Sequence, residues 1–458
     1  MMNGQEMQRR TLAEDFAEFI FKTDYRDIPK EVIYQAKRCI LDFLGVALAG
    51  SRVGLASLLT PLIGEGEGKG EATLIGDGKK VLAIDAALIN GVKGHTLDVD
   101  DGHRFANAHP GVVVVPAALA IAEKVGATGK ELMEAIVAGY ETLIPIGTAV
   151  NPSHLMRGFH TTGTVGPFGA AAACCKLLHL KQKEIRNALA IAGLQGAGLL
   201  EVTESGHMMK PLHAGNAARA GVIASLLAKQ GAEGPDLILE GKKGFFKAFS
   251  DANEFPGVTR SLGKDFEILN VYFKMHVACR HTHAALDAVK EIMNQYVIDV
   301  KRIKKITVHT YSVAYHLTGE KKKVRTEKGA KFSLPISIGL MFIHGKVGVE
   351  ECSLKSIRHP GVQKIADKTT ILVDKEMDAL YPSKRSARVE VETSNATYAL
   401  EIGLPKGDPE DPFSDEELMA KFFHNAEKML SVEKIKELES RIFHLEKQSI
   451  REFMRWVS

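Results

Sequence analysis

Apolar residues recur along most of this chain at the three-and-four spacing of helices that turn one face to a core. Leu12, Phe16, Phe19 and Ile20 keep that spacing, and Thr11-Leu-Ala-Glu14 at their start is a capping box, in which Thr11 accepts from a first-turn N–H and Glu14 reaches back. Pro29 opens a second helix with Val32, Ile33, Ala36, Ile40, Phe43, Leu44 and Ala47 inward, stopping near Gly50. Val81, Ile84, Ala87 and Leu88 predict another, and a second capping box, Thr128-Gly-Lys-Glu131, precedes Leu132, Ala135, Ile136 and Gly139. Small residues then crowd together. Gly163, Gly166 and Gly169 lead into Ala170–Ala173, followed by Gly193, Gly196 and Gly198. A dinucleotide loop would need a preceding strand and an acidic residue about 20 positions on, and neither is evident. Closely packed helices explain these glycines better.

From about Asp265 the period changes. Thr282 is placed to cap a helix carrying Leu286, Val289, Ile292 and Met293, and Lys305–Tyr311 alternates like a strand with Ile306, Val308 and Thr310 on one face. Ser333 to His344 reads as a short apolar helix closed by Gly345. Residues 387–393 and 397–402 flank Ser394-Asn395 as an antiparallel hairpin. After the turn-rich Gly403–Pro412, Ser414-Asp-Glu-Glu417 caps a further helix with Leu418, Phe422, Ala426, Met429 and Leu430. The pattern predicts a mainly α protein with an inserted α+β domain. Residues 1–265 and 405–458 form the helical part, and 266–404 the α+β unit.

At 458 residues the chain exceeds one ordinary core, in keeping with two domains. A formal net charge of +3, with Lys and Arg spread along the chain, gives no case for nucleic acid binding. The first ten residues lack the apolar core of a signal peptide, and no apolar run reaches the roughly 18–20 residues of a membrane span. Five cysteines without a C-x-x-C pair read as reduced thiols, so a cytoplasmic protein is expected.

The chemistry is concentrated in Asn90–Pro110. His95, His103 and His109 lie there with Asp98, Asp100 and Asp101. Crowding like charges gains a fold little, so proton chemistry, anion recognition or metal binding is the better account. Further polar islands stand in apolar, small-residue surroundings: Arg157-Gly-Phe-His160, Lys210-Pro-Leu-His213 and Lys274–His283. Asp98 reads as a carboxylate that orients a histidine or binds a substrate hydroxyl. His109 and His160 are the candidate proton carriers, the latter at a helix start where anions collect. Lys210 and Lys274, in apolar company, call for an anion. Arg280, His281 and His283 could complete an anion-binding wall. A divalent ion on His95, Asp98, His103 and His109 is the competing reading. No H-x-x-x-H pair supports it, and Lys210 and Lys274 would compete with the metal for the same anionic groups. No metal is expected.

Several motifs in order resemble the MmgE/PrpD family: Gly91–Asp101, Arg157–Pro167, Met209–Ala218, Phe273-Lys274, Arg280–Ala285 and Lys406-Gly-Asp-Pro409. The resemblance runs from about residue 10 to 430. It implies a helical domain built from both chain ends, an inserted α+β lid, a homodimer, and catalysis without cofactor or metal. The family includes 2-methylcitrate dehydratase, cis-aconitate decarboxylase and iminodisuccinate epimerase. Its catalytic residues carry over to Asp98, His109, His160, Lys210 and Lys274; His103, Arg157, Arg280, His281 and His283 are expected to bind substrate. The chain departs from the family pattern at Ile336, where a tyrosine often follows the Ser-Leu-Pro stretch. The expected activity is that of a hydro-lyase on a small hydroxy-polycarboxylate such as 2-methylcitrate. Epimerisation or decarboxylation of a related acid are the alternatives.

Overall fold

The computed structural model describes the chain except residues 1–9, 64–69, 205–206, 252–254, 256, 320–323 and 325. Nearly all of the N-terminal stretch read for a signal peptide therefore lies outside the described residues. The fold is mainly α with a smaller α+β region. All three capping boxes form, at Thr11/Glu14, Thr128/Glu131 and Ser414/Glu417. At Thr282 the side chain instead donates to the Cys279 carbonyl and caps no N–H, because the chain enters the helix already in helical geometry.

Two apolar cores organise the molecule. The larger joins residues from Ala13 to Phe273 with residues from Phe413 to Val457, so both chain ends build one helical body. Its centre is the helix Gly111–Val125, apolar all round and buried from Gly111 to Glu123. Its four successive valines, Val112–Val115, are fully buried, each worth about 1.5–3 kcal/mol of transfer free energy. The helix Asp415–Ala426 closes this body by packing on Lys30–Gly50.

The second core lies almost wholly between Val277 and Val391. It packs the helices His283–Gln295 and Leu334–His344 with a four-stranded sheet: β1 (Ile303–Thr310), β2 (Thr369–Val373), β3 (Ala387–Thr393) and β4 (Thr397–Ile402), in the order β2-β1-β3-β4. The hairpin β3–β4 is as the alternation predicts. The parallel partner β2 was not evident from its five residues. Ile336, at the position where the family pattern often has tyrosine, is fully buried in this core. Val46, Leu97 and Val99 belong to the same core, and they tie the acidic loop of the helical body to the lid.

The glycine-rich helices approach one another closely. A Cβ on Gly215 would stand 2.4 Å from the Leu88 carbonyl oxygen, and one on Gly91 2.9 Å from Gly215 Cα. Only glycine permits that crossing of the Ala83–His95 and Lys210–Lys229 helices. It brings the end of the first against the start of the second, which carries Lys210. No single described helix is long and apolar enough to cross a membrane.

Candidate active site

The helix Ala83–His95 ends by running into the acidic loop, and Asp98 there adopts φ +58°, a left-handed conformation costly for a residue with a side chain. Four consecutive carbonyls hold the loop. Thr96 O accepts from Lys328, Leu97 O from Lys331 (2.6 Å), Asp98 O from Lys274 (2.9 Å) and Val99 O from Lys421 (2.7 Å). Ammonium groups are well placed at the negative end of a helix. Lys328 and Lys331 come from the lid, Lys274 from the segment that joins the two cores, and Lys421 from the C-terminal helices.

The loop borders a cavity between the two cores whose space, counted together with the solvent at its mouth, is about 580 Å³. Asp98, His109, His160, Lys210, Lys274, Arg280 and His281 all line it. Asp98 Oδ1 accepts from Lys210 Nζ (3.0 Å) and Lys274 Nζ (2.8 Å). Its Oδ2 is buried and has no hydrogen-bond partner among the described residues. Burial alone would raise this carboxyl, but Lys210 and Lys274 hold it well below the usual range. Burial likewise works against the charge of Lys274, and Asp98 and Asp100 more than offset it.

Asp100, not Asp98, orients the imidazoles. Its Oδ2 lies 2.9 Å from His95 Nδ1 and 3.0 Å from His109 Nδ1. His109 Nδ1 is also 2.6 Å from the Asp101 carbonyl oxygen, which offers only lone pairs, so that nitrogen carries the hydrogen. The lone pair of His109 then sits on Nε2, which makes no hydrogen bond among the described residues. His160 contacts His213 through Nδ1 (3.1 Å), again leaving Nε2 without a described partner. Burial lowers both His109 and His160, the Lys210 charge adding to it at each and the Lys274 charge at His109, and pushes His95 down to about 4. These are neutral bases. The donor atoms of His95, Asp100 and His109 fall within 4.8 Å of one another, a metal-like spacing. The hydrogen on His109 Nδ1 fits a carboxylate–imidazole relay better than a metal ligand.

Asp101 has a different task. It accepts from the Gly111 N–H (2.9 Å) at the start of the buried helix and from Tyr140 Oη (2.7 Å). Burial and the nearby Asp42 raise it to about 8, so it is a neutral acid built into the floor.

Three expected substrate contacts are not on the cavity. His103 turns to the Ala106 N–H and to Glu267 (3.4 Å) within a short bridge of Gly102–His103 to Val271–Tyr272. Arg157 is half-exposed and pairs with Asp251 at 2.7 Å, on the outside of the helical body. His283 is buried beyond Arg280, against its Nη1 (3.2 Å) and the Ala278 carbonyl. Arg280 itself donates to the Pro405 and Lys406 carbonyls, approaches Asp408 (3.1 Å) and lies over Tyr272. Its charge is therefore partly engaged in holding the 405–408 turn. His281 is held by Tyr311 Oη at 2.6 Å.

Arg385 is the residue sequence reasoning missed. It is buried on the cavity wall, donates to the Arg104 carbonyl (2.7 Å) and Asn107 Oδ1 (3.0 Å), and has no carboxylate in ion-pair range among the described residues. Nothing in its local sequence marks it. Lys331 could have been found: it stands between Ala330 and Phe332, the same apolar company that drew attention to Lys210 and Lys274. Cys279 also lines the cavity, but burial pushes its thiol up and away from nucleophilic use.

Known proteins resemble this chain in sequence over most of its length. The MmgE/PrpD N-terminal domain matches residues 14–257 and the C-terminal domain residues 276–444. The cis-aconitate decarboxylase-like protein oryM of Aspergillus oryzae is 28% identical, over 92% of this chain and 91% of its own. The cis-aconitate decarboxylases of Homo sapiens (28%, 96% and 93%) and Aspergillus terreus (26%, 92% and 90%) are similarly related. With both family domains matched in order across most of its length, the chain belongs to the MmgE/PrpD family of enzymes.

Proposed function

We propose that the chain is a lyase acting on a small di- or tricarboxylate, with loss of CO2 from a cis-aconitate-like acid as its reaction. The observation that carries this reading is His109. Its Nδ1 hydrogen is fixed by Asp100 and the Asp101 carbonyl, and its free Nε2 lies on the same cavity as the Lys210–Asp98–Lys274 cluster. In the resting site the imidazoles are neutral; a multiply charged anion beside them favours their protonated forms. Lys210, Lys274 and Arg385 bind carboxylates. As the C–C bond to the departing carboxylate breaks, its electron pair moves across the neighbouring double bond. An imidazolium, His109 or His160, delivers a proton to the far alkene carbon and returns neutral.

The hydro-lyase reaction on 2-methylcitrate uses the same groups in the other sense: one histidine takes the proton beside a carboxylate and another protonates the departing hydroxyl. Epimerisation would return that proton to the opposite face. Proton NMR in deuterated water separates the three. Decarboxylation releases CO2 and leaves deuterium on a saturated carbon, dehydration converts a hydroxy acid to an alkene, and epimerisation exchanges a proton without loss of mass. Normal turnover of the preferred acid by His160→Asn and His109→Gln proteins would sink the proposal.

A further inference from the structure

A smaller cavity, about 330 Å³ with its mouth, opens beside the main one. The two share Asp98, Thr203, Lys210 and Phe332 as walls. Lys328 and Lys331, both from the lid, line only the smaller one. Each ammonium donates to a single carbonyl, Thr96 or Leu97, and neither has a carboxylate within ion-pair distance among the described residues. An ammonium carries three donors, so each keeps two for something else. Lys331 is 5% exposed, and an unpaired buried cation is costly unless an anion joins it. Lys328 shows that cost: burial and the charge of Lys331 lower it to about 7. With Lys210 and Lys274, four ammonium groups gather around Asp98.

We propose that this side cavity is an anion subsite, holding the substrate carboxylate most remote from the reacting carbon. The proposal rests on the polycarboxylate reading of the main cavity. A tricarboxylate would fill both spaces through their shared Lys210 wall, and a dicarboxylate would leave the side cavity empty. Selection for a third carboxylate would then reside in Lys328 and Lys331, apart from the proton-transferring residues.

Calorimetric titration with two non-reacting acids, tricarballylate and glutarate, tests this. The native protein is expected to bind tricarballylate about tenfold or more tightly than glutarate, the effect of one added charge-assisted contact. Lys328→Gln, Lys331→Gln and the double variant should lose that preference while glutarate binding stays unchanged. Lys331→Arg, which keeps the charge, should retain it. The subsite is overturned if the preference survives in the double variant. It also fails if glutarate binding falls equally, since the lysines would then only hold the loop carbonyls. Inorganic phosphate binding alongside tricarballylate without competition would assign the cavity to a separate ion and overturn it too. If Lys331→Gln does not fold, by thermal melting, Lys328→Gln carries the comparison from its less buried position. A native protein that binds neither acid would overturn the polycarboxylate reading and the subsite together.

Discussion

The two walls of the cavity do different work. On the helical body, Asp98, His109 and His160 face the cavity, and behind them the ionised Asp100 orients the neutral imidazoles of His95 and His109. On the lid, Lys328, Lys331 and Arg385 are cations aimed at backbone carbonyls of the facing loop. The lid thus grips residues 96–104 of the other body, and lines the main cavity with Arg385 and the side cavity with Lys328 and Lys331. Proton transfer needs fixed geometry and sits on the large core. Recognition and closure tolerate a separate, smaller core. This division can be broken from either side.

The largest effect is expected on the helical wall. His109→Gln keeps a donor near Asp100 but removes the proton carrier, and should lower kcat by about 10²–10⁴-fold with tricarballylate affinity little changed. Single-turnover kinetics beside calorimetry will show it. A fall confined to KM would mean that His109 only binds substrate, and the two walls would no longer differ in kind.

Lys274→Met comes next, because it leaves a buried carboxylate short of one partner. Loss of one member of such a cluster costs about 3–5 kcal/mol, lessened here by Lys210 remaining on Asp98 Oδ1. Denaturant unfolding should show that loss above pH 4. Asp98 has its folded pKa held low, so its ionic contribution is present above the ordinary carboxyl value and fades as pH falls through the folded value. The variant and native curves should therefore converge in acid. Parallel curves down to low pH would show that Lys274 stabilises by packing alone.

The helical wall was largely legible in the sequence because its groups lie in short motifs, and the chemistry of each residue is stated by its type. What the sequence did not show was direction. Asp98 and Asp100 are two positions apart, yet the left-handed turn at Asp98 sends one to the lysines and the other to the imidazoles. His103, three residues beyond Asp100, faces Glu267 from a short bridge to Val271–Tyr272. The lid wall was hardly legible. Arg385 reaches the cavity only because the start of β3 abuts residues 104–107, a contact across 278 positions of chain between Arg385 and Asn107. Spacing within a motif carries no trace of such a pairing.

On the lid side, Arg385→Gln should raise KM about tenfold with kcat within a factor of about 2, since the guanidinium binds a carboxylate already present in the ground state. Steady-state kinetics checks it. Equal losses in kcat and kcat/KM would move Arg385 into the transition-state machinery and blur the division between the walls.

The smallest effect is expected at Asp101, one residue from the ionised Asp100. Because Asp101 titrates near 8, it is already uncharged at neutral pH. Asp101→Asn preserves shape, an acceptor for the Gly111 N–H and a polar contact to Tyr140, so activity should stay within about twofold. Stability should change in its pH dependence. Between about pH 4 and 8 the unfolded chain has released this proton while the folded protein retains it, so the native protein loses stability as pH rises through that range. The amide has no proton to release, and the variant's unfolding free energy should fall less steeply, overtaking the native protein toward pH 8. Asp100→Asn measured beside it should instead impair turnover, since that carboxylate orients both imidazoles. If the two variants behaved alike, the floor and the working face of the loop would be one electrostatic unit, and the neutral-acid role of Asp101 would have to be given up.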